Sequence, residues 1–224
     1  MTLQNLSKIL DKYEQQYDSG SIQQFALLKV LPFYDWSLSN QRDFIHAIGL
    51  PEKNGVPMPL FDYELMLFNA LQSNKHIWIK KATGLGVTEF MLRYMAWLCL
   101  KDDRLTGTQM TIVTGRRIEL AITLIDRLKG IFGNIIPKGF DTKETVIELN
   151  GVHIEAYPSH HLDSMRGLKD VSFIMIDECD FLPPGQQQDA RDVSERYIAK
   201  SNPWIVMVST PNAPEGLFER KGAR

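Results

Sequence analysis

Ile77-Trp78-Ile79-Lys80-Lys81-Ala82-Thr83-Gly84-Leu85-Gly86-Val87-Thr88 is the stretch on which the fold turns. A short apolar strand runs into a Gly-bearing loop. Val87 to Leu100 then reads as a helix with apolar residues most of the way round, which should be well buried. Strand, loop and helix in that order are the setting of a phosphate loop. Glycine lets backbone N–H groups approach phosphate oxygens, and the helix N-terminus adds partial positive charge. Thr88 stands where the hydroxyl of G-x-x-x-x-G-K-S/T holds Mg²⁺, and Thr83, Gly84, Leu85, Gly86 and Val87 complete the cradle. The match is irregular, because Val87 occupies the lysine position and Lys81 the first glycine position. A phosphate site needs a cation. The inferred one is Lys81, reaching back from the start of the loop, with Lys80 the runner-up. The bland alternative is an ordinary strand-to-helix turn.

Working outward, more apolar strands alternate with helices. Met110 to Val113 is a strand, and a helix follows from about Arg117 to Ile131. Val146 to Leu149 and Val152 to Ala156 flank Asn150-Gly151, a two-residue hairpin signal. Val171 to Ile176 and Trp204 to Val208 are two more buried strands. The pattern predicts an α/β fold, a mainly parallel sheet with helices on both faces, whose ligands bind at the carboxyl ends of the strands. Residues 1 to about 50 read as short helices, with Trp36 to Asn40 a loop, and the stretch Pro51 to Pro59 separates them from the rest. The expected division is an N-terminal helical region or lid over 1–58 and a nucleotide-binding domain over 59–224.

The strand Val171 to Ile176 ends in Asp177-Glu178, the pattern of a Walker B motif. Asp177 would hold Mg²⁺, directly or through water, and Glu178 would orient and deprotonate the attacking water. The alternative is a strand running into an acidic surface turn. The last strand ends in Ser209-Thr210-Pro211, whose hydroxyls suit contact with the γ-phosphate or that water; a capping Ser-Thr before a proline turn is the other reading. Arg166-Gly167, just before the acidic strand, is a candidate arginine finger, against a solvated or structural arginine. Tyr63 and Glu64 suit an adenine, one stacking and one accepting from the exocyclic amine. The competing reading is a helix start with Asp62 as cap and Phe61 in the core. Arg116 and Arg117 read as a solvated helix start, with DNA phosphates the sharper alternative, and His160-His161 reads as loop.

Bulk properties exclude little. The chain has 224 residues, 44% of them hydrophobic, ample for one substantial core. Lys plus Arg total 25 against 27 Asp plus Glu, a net charge of -2 that neither supports nor excludes nucleic acid. The polar start is not a signal peptide, and no apolar run approaches the roughly 20 residues that span a bilayer. Cys99 and Cys179 read as reduced thiols without metal-ligand spacing, so the chain reads as soluble and intracellular.

Taken in order, these pieces resemble the ATPase domain of viral large terminases, over about residues 59 to 220. The resemblance rests on Tyr63-Glu64, Lys81 to Thr88, Arg166-Gly167, Asp177-Glu178 and the run Ser209-Thr210-Pro211-Asn212-Ala213-Pro214-Glu215-Gly216-Leu217-Phe218. It implies a P-loop NTPase of the ASCE, RecA-like type, using ATP and Mg²⁺ to move double-stranded DNA into a procapsid in the host cytoplasm. It further implies a homo-oligomeric ring on a capsid portal, a small terminase subunit as partner, Arg166 as a finger supplied in trans, and Ser209 to Pro211 as the motif coupling hydrolysis to DNA movement. Two departures stand out: Thr83 and Gly84 replace the family's frequent arginine and glutamine, and Glu64 replaces the usual adenine-motif glutamine. The family's C-terminal nuclease domain is expected to be absent from this chain. Two other readings remain open. One is the first motor domain of a superfamily-two helicase, on Ala82 to Thr88, Arg117 to Ala121 and Asp177-Glu178-Cys179-Asp180. The other is a nucleotide-binding protein that cannot hydrolyse because Val87 replaced the lysine.

Overall fold

A computed structural model describes residues 44, 52–53, 56–57, 60–135 and 143–212. The chain divides into two compact units, residues 1–72 and 73–224. The helices expected before residue 50 lie outside the described residues, apart from buried, helical Phe44. Within Pro51 to Pro59, expected to be a plain connector, β1 (Glu52–Lys53) pairs antiparallel with β2 (Val56–Pro57). Helix α1 (Asp62–Ser73) follows. Its cap differs from the sequence expectation. Phe61 accepts the first helical bond from the Leu65 N–H, and the Glu64 carboxylate reaches back to the Phe61 N–H at 2.9 Å. That is half of a capping box, with Phe61 rather than Asp62 at the cap position. Phe61 itself is 52% exposed, so it is not a core residue.

The second unit is built on β3 (His76–Lys80), α2 (Val87–Lys101), β4 (Gln109–Thr114), α3 (Ile118–Ile135), β5 (Val146–Leu149), β6 (Val152–Pro158), β7 (Val171–Asp177), α4 (Pro184–Glu195) and β8 (Trp204–Ser209). Six strands form one sheet in the order β3-β8-β7-β4-β6-β5. All neighbours are parallel except β5 and β6. Those two are the hairpin the sequence signals. Asn150 and Gly151 both have positive φ, 49° and 73°, as a twisted two-residue turn demands. A Cβ at Gly151 would sit 2.7 Å from Thr106 Cγ2. Gly151→Ala should therefore destabilise the unit by about 1–2 kcal/mol, through left-handed strain and crowding together. An unchanged denaturation midpoint would show that the turn relaxes freely.

Both faces of the sheet are covered, as the apolar strands require. Side chains alternate along a strand, so neighbours serve opposite faces. On one face Val113, Ile174, Ile176 and Met207 pack with Ala190 and Val193 of α4. On the other, Phe173 meets Tyr94 of α2 at a ring distance of 6.3 Å, and Cys99 of α2 touches Met110 of β4 at 3.8 Å. Ten residues of α2 are buried, which fits its apolar circumference. Burial pushes both thiols, Cys99 and Cys179, up to about 12. No helix among the described residues is long and apolar enough to cross a membrane.

Candidate functional site

Register fixes what meets at the carboxyl edge. Lys80 of β3 pairs with Ser209 of β8, and Asp177 of β7 pairs with Val208. Strand β8 thus lies between the strand that carries the loop and the strand that carries the acidic pair. The residue after β8, Thr210, emerges between Lys81 and Glu178.

The loop hugs this edge. The Lys81 N–H donates to the Ser209 carbonyl at 3.0 Å. Gly84 and Gly86 have φ of 84° and 70°, and Gly86 caps α2 in the left-handed region, which glycine enters without a Cβ penalty. Thr83, Gly84 and Leu85 are exposed, whereas Val87 is buried. An apolar side chain in the lysine position therefore feeds the core. The cation comes from elsewhere: Lys81 Nζ donates to Glu178 Oε1 at 2.5 Å and to Thr210 Oγ1 at 3.3 Å. Lys80, in contrast, ends β3 exposed.

Thr88 Oγ1 donates to the Asp177 carboxylate at 3.1 and 3.3 Å. A hydroxyl and a carboxylate side by side are hard oxygen donors, the chemistry Mg²⁺ prefers. Burial raises the Asp177 carboxyl to about 6; the Thr88 bond and Lys81 pull down, while Glu178 pushes up. Below about pH 4 folded and unfolded chains are both protonated; between about 4 and 6 the unfolded chain alone has lost its proton, so stability falls as pH rises. Without divalent metal, Asp177→Asn should therefore stabilise the protein by about 3 kcal/mol at pH 8 and hardly at all at pH 4. Equal gains at both values in chemical denaturation would rule out burial of the charge as the cause.

Glu178 follows in a left-handed conformation, φ 49° and ψ 45°. A non-glycine residue there is uncommon and clusters at functional sites. Its second oxygen, Oε2, accepts the Thr210 N–H at 3.3 Å and faces Ser209 Oγ at 3.4 Å. Thr83, Thr88, Asp177, Glu178, Thr210 and Arg127 line a cavity of 510 Å³, whose remaining wall includes Leu120, Leu124 and Phe181.

The other sequence candidates are not among the residues that line this cavity. Arg166 belongs to the 3-10 segment Ser159–Gly167, is paired with Asp163 at 2.5 Å, and is not part of the cavity wall. Tyr63 stacks on Phe61 at 5.5 Å and Glu64 serves the helix cap; both belong to the 1–72 unit. Arg117 pairs with Glu119 on the exposed start of α3. His160 and His161 are exposed neighbours, and no metal-holding group of three or more His, Cys, Asp or Glu occurs among the described residues. Of the run after β8, Ala213 to Phe218 lie outside the described residues.

Sequence reasoning missed two residues at this edge. Arg127 of α3 reaches Glu89, the residue after Thr88, at 2.7 Å, and Glu89 also holds Arg93 at 3.0 Å. Asp180 is a buried carboxylate whose Oδ2 accepts the Asn212 N–H at 2.7 Å. Their partners are distant in sequence, so only the third acid of Asp177-Glu178-Cys179-Asp180 offered a signal.

No family model matches the sequence, and no curated protein matches it. Solved structures do. The HK97 bacteriophage large terminase superposes with a TM-score of 0.64 at 15% identity, over 80% of this chain and 40% of that one. The fold is that of a large-terminase ATPase domain. A large terminase from a thermophilic bacteriophage gives 0.56 at 14% identity, over 73% of this chain and 42% of that one. A point mutant of the Thermus phage P74-26 large terminase ATPase domain gives 0.52 at 14% identity, over 73% and 69%. The chain thus spans about two fifths of the length of the first two. Their likeness carries the terminase ATPase fold, the mainly parallel RecA-like sheet expected from the sequence.

Proposed function

We propose that this chain is an Mg²⁺-dependent ATPase that drives double-stranded DNA into a viral procapsid, as the motor part of a large terminase. One observation carries the reading. Thr88, Asp177, Glu178 and Thr210 converge from three separate segments on a single cavity, and the Lys81 ammonium lies against two of them, Glu178 and Thr210. A cation, a hydroxyl beside a carboxylate, and a second carboxylate are the parts phosphoryl transfer to water requires.

Lys81 and the N–H groups opening α2 bind the β- and γ-phosphates. Thr88 and Asp177 would hold Mg²⁺, which would supply positive charge against the phosphates. Glu178 then takes a proton from water as the water oxygen bonds to the γ-phosphorus and the bond to the bridging oxygen breaks, leaving ADP and phosphate. Lys81 links the two events, since phosphate oxygens compete with Glu178 for its ammonium. Thr210 stands beside both and suits a sensor of the γ-phosphate. Tyr63 and Glu64 are the proposed adenine contacts. Arg166, outside the cavity of its own chain, suits a finger supplied to a neighbour in a ring on the capsid portal, with a small terminase subunit as a further partner and the host cytoplasm as the setting. The proposed division is an N-terminal helical region or lid over residues 1–58 of the sequence and an ATPase domain of 59–224.

The test is ATP turnover with Mg²⁺ across a range of protein concentration, with and without DNA. Turnover per chain should rise with concentration. Arg166→Ala should lower it about a thousandfold or more while sparing ATP affinity, and mixing with Glu178→Gln should restore part of it. Absence of both ATP binding and turnover would remove the ATPase reading. Loss without rescue on mixing would remove only the trans assignment.

A further inference from the structure

We propose that Asp180 is a positioning residue: it pins the Ser209–Asn212 segment beside Glu178, so that Thr210 stays at the phosphate end of the cavity when Glu178 moves. The proposal rests on the ATPase reading above for its kinetic part alone.

The backbone donors of the segment can be counted. In Thr210-Pro211-Asn212 the proline has no N–H, so two donors remain. The Thr210 N–H goes to Glu178 Oε2 at 3.3 Å, and the Asn212 N–H goes to Asp180 Oδ2 at 2.7 Å. The segment therefore hangs on two carboxylates of one turn. These two differ in what they are free to do. Glu178 is half-buried and must turn to water during hydrolysis, giving up its hold on Thr210. Asp180 is 2% exposed, and its backbone is fixed from several sides. Its own N–H donates to Ser209 Oγ at 3.1 Å, and its carbonyl accepts from Gln187 Nε2 at 3.0 Å and faces Asn212 Nδ2 at 3.5 Å. Gln187 also binds the Leu182 carbonyl at 2.9 Å, which ties the turn to α4. A buried carboxylate is costly unless it accepts strong hydrogen bonds. The short bond from Asn212 is such a use, and an apolar residue of this size would fill the space without it.

The consequence is a fixed point and a moving point on one segment. Asp180 holds the Asn212 end, Glu178 releases the Thr210 end, and Thr210 keeps its place because the far end does not shift. Losing the fixed point misplaces Thr210 and loosens its 3.3 Å bond from Lys81 Nζ, while Lys81 keeps its 2.5 Å bond to Glu178 and its N–H bond to Ser209. ATP should still bind, and chemistry should slow, because misplacement of about 1 Å costs on the order of a hundredfold in rate.

The experiment compares Asp180→Ala, Asp180→Asn and Asn212→Pro in the full chain. Asparagine keeps a carbonyl oxygen for the Asn212 N–H, whereas Asn212→Pro removes that N–H and leaves the buried carboxylate in place. Three quantities are read: kcat, KM for ATP, and amide exchange of Thr210 and Asn212 without nucleotide. Asp180→Ala should lower kcat about thirty- to a hundredfold with KM within about twofold. Asp180→Asn should recover most of the loss. Exchange at Thr210 should quicken in both Asp180→Ala and Asn212→Pro. Unchanged kcat in Asp180→Ala overturns the proposal, and so does a loss in Asp180→Asn equal to that in Asp180→Ala. If Asp180→Ala does not fold, Asn212→Pro decides by the same kinetic split. Exchange needs no ATP. If the parent protein neither binds nor hydrolyses ATP, the ATPase reading fails by itself, and unchanged exchange at Thr210 still overturns the pin.

Discussion

Glu178→Gln should lower ATP turnover about a thousandfold while ATP affinity stays within about twofold, since a positioned general base contributes roughly 10²–10⁴ in rate. Glutamine is chosen because it keeps the shape. Its amide oxygen can still accept from Lys81 Nζ, the bond that Oε1 takes at 2.5 Å, while the weaker 3.3 Å bond from the Thr210 N–H to Oε2 is given up. The left-handed turn at this position is a backbone feature and tolerates the swap. What glutamine cannot do is take a proton from water. A mutant that binds ATP normally and does not turn it over isolates that role. Retained turnover would move the base elsewhere and leave Glu178 as a mere counter-ion for Lys81. Loss of binding as well would mean that the carboxylate holds the loop together and would leave its catalytic role without support. Single-turnover measurements with saturating ATP separate these outcomes, because they read chemistry without product release.

The sheet was legible because its strands are buried on both faces. Val171 to Ile176 is buried at every position, and continuous apolar runs of that kind announce themselves. The hairpin was legible through Asn150-Gly151, where local chemistry and tertiary pairing agree. Helix α4 was not. It reads Pro-Gly-Gln-Gln-Gln-Asp-Ala-Arg-Asp-Val-Ser-Glu, and its buried apolar residues are Ala190 and Val193. A helix that packs so little apolar surface leaves no periodic signal, and it is held in part by polar bonds such as Gln186 to Ser159 at 2.7 Å. The cap at Phe61 was misread for a related reason. Asp62 looks like a cap by type, but Glu64 three positions beyond Phe61 does the work. At the site, motif residues were visible because their chemistry is local: a loop, an acidic pair, a hydroxyl pair. Arg127 was invisible, and Asp180 showed only as part of an acidic motif and not in its contact, because their partners lie 38 and 32 residues away. Only the parallel register of β3, β8 and β7 brings the motif segments together, and no single segment encodes it.

Lys81→Ala should weaken ATP binding about tenfold to a hundredfold, the effect of losing one or two charge-assisted hydrogen bonds. The geometry explains why this lysine and not its neighbour carries the expectation. The Lys81 side chain is 8% exposed and its ammonium lies against Glu178 and Thr210. Lys80 is the last strand residue and is exposed, so Lys80→Ala should change affinity by no more than about twofold, as for a surface charge. A second consequence distinguishes Lys81 from a simple ion-pair partner. Removing it leaves Glu178 without its cation, which on its own costs stability; adding Glu178→Gln removes that uncompensated charge. The double mutant should therefore regain stability relative to Lys81→Ala but not regain ATP affinity. Titration of the four proteins with a non-hydrolysable ATP analogue, alongside thermal unfolding, reads both quantities. If affinity returned together with stability, the phosphates would not be contacting Lys81, and the irregular loop with Val87 in the lysine position would have to draw its cation from another part of the chain.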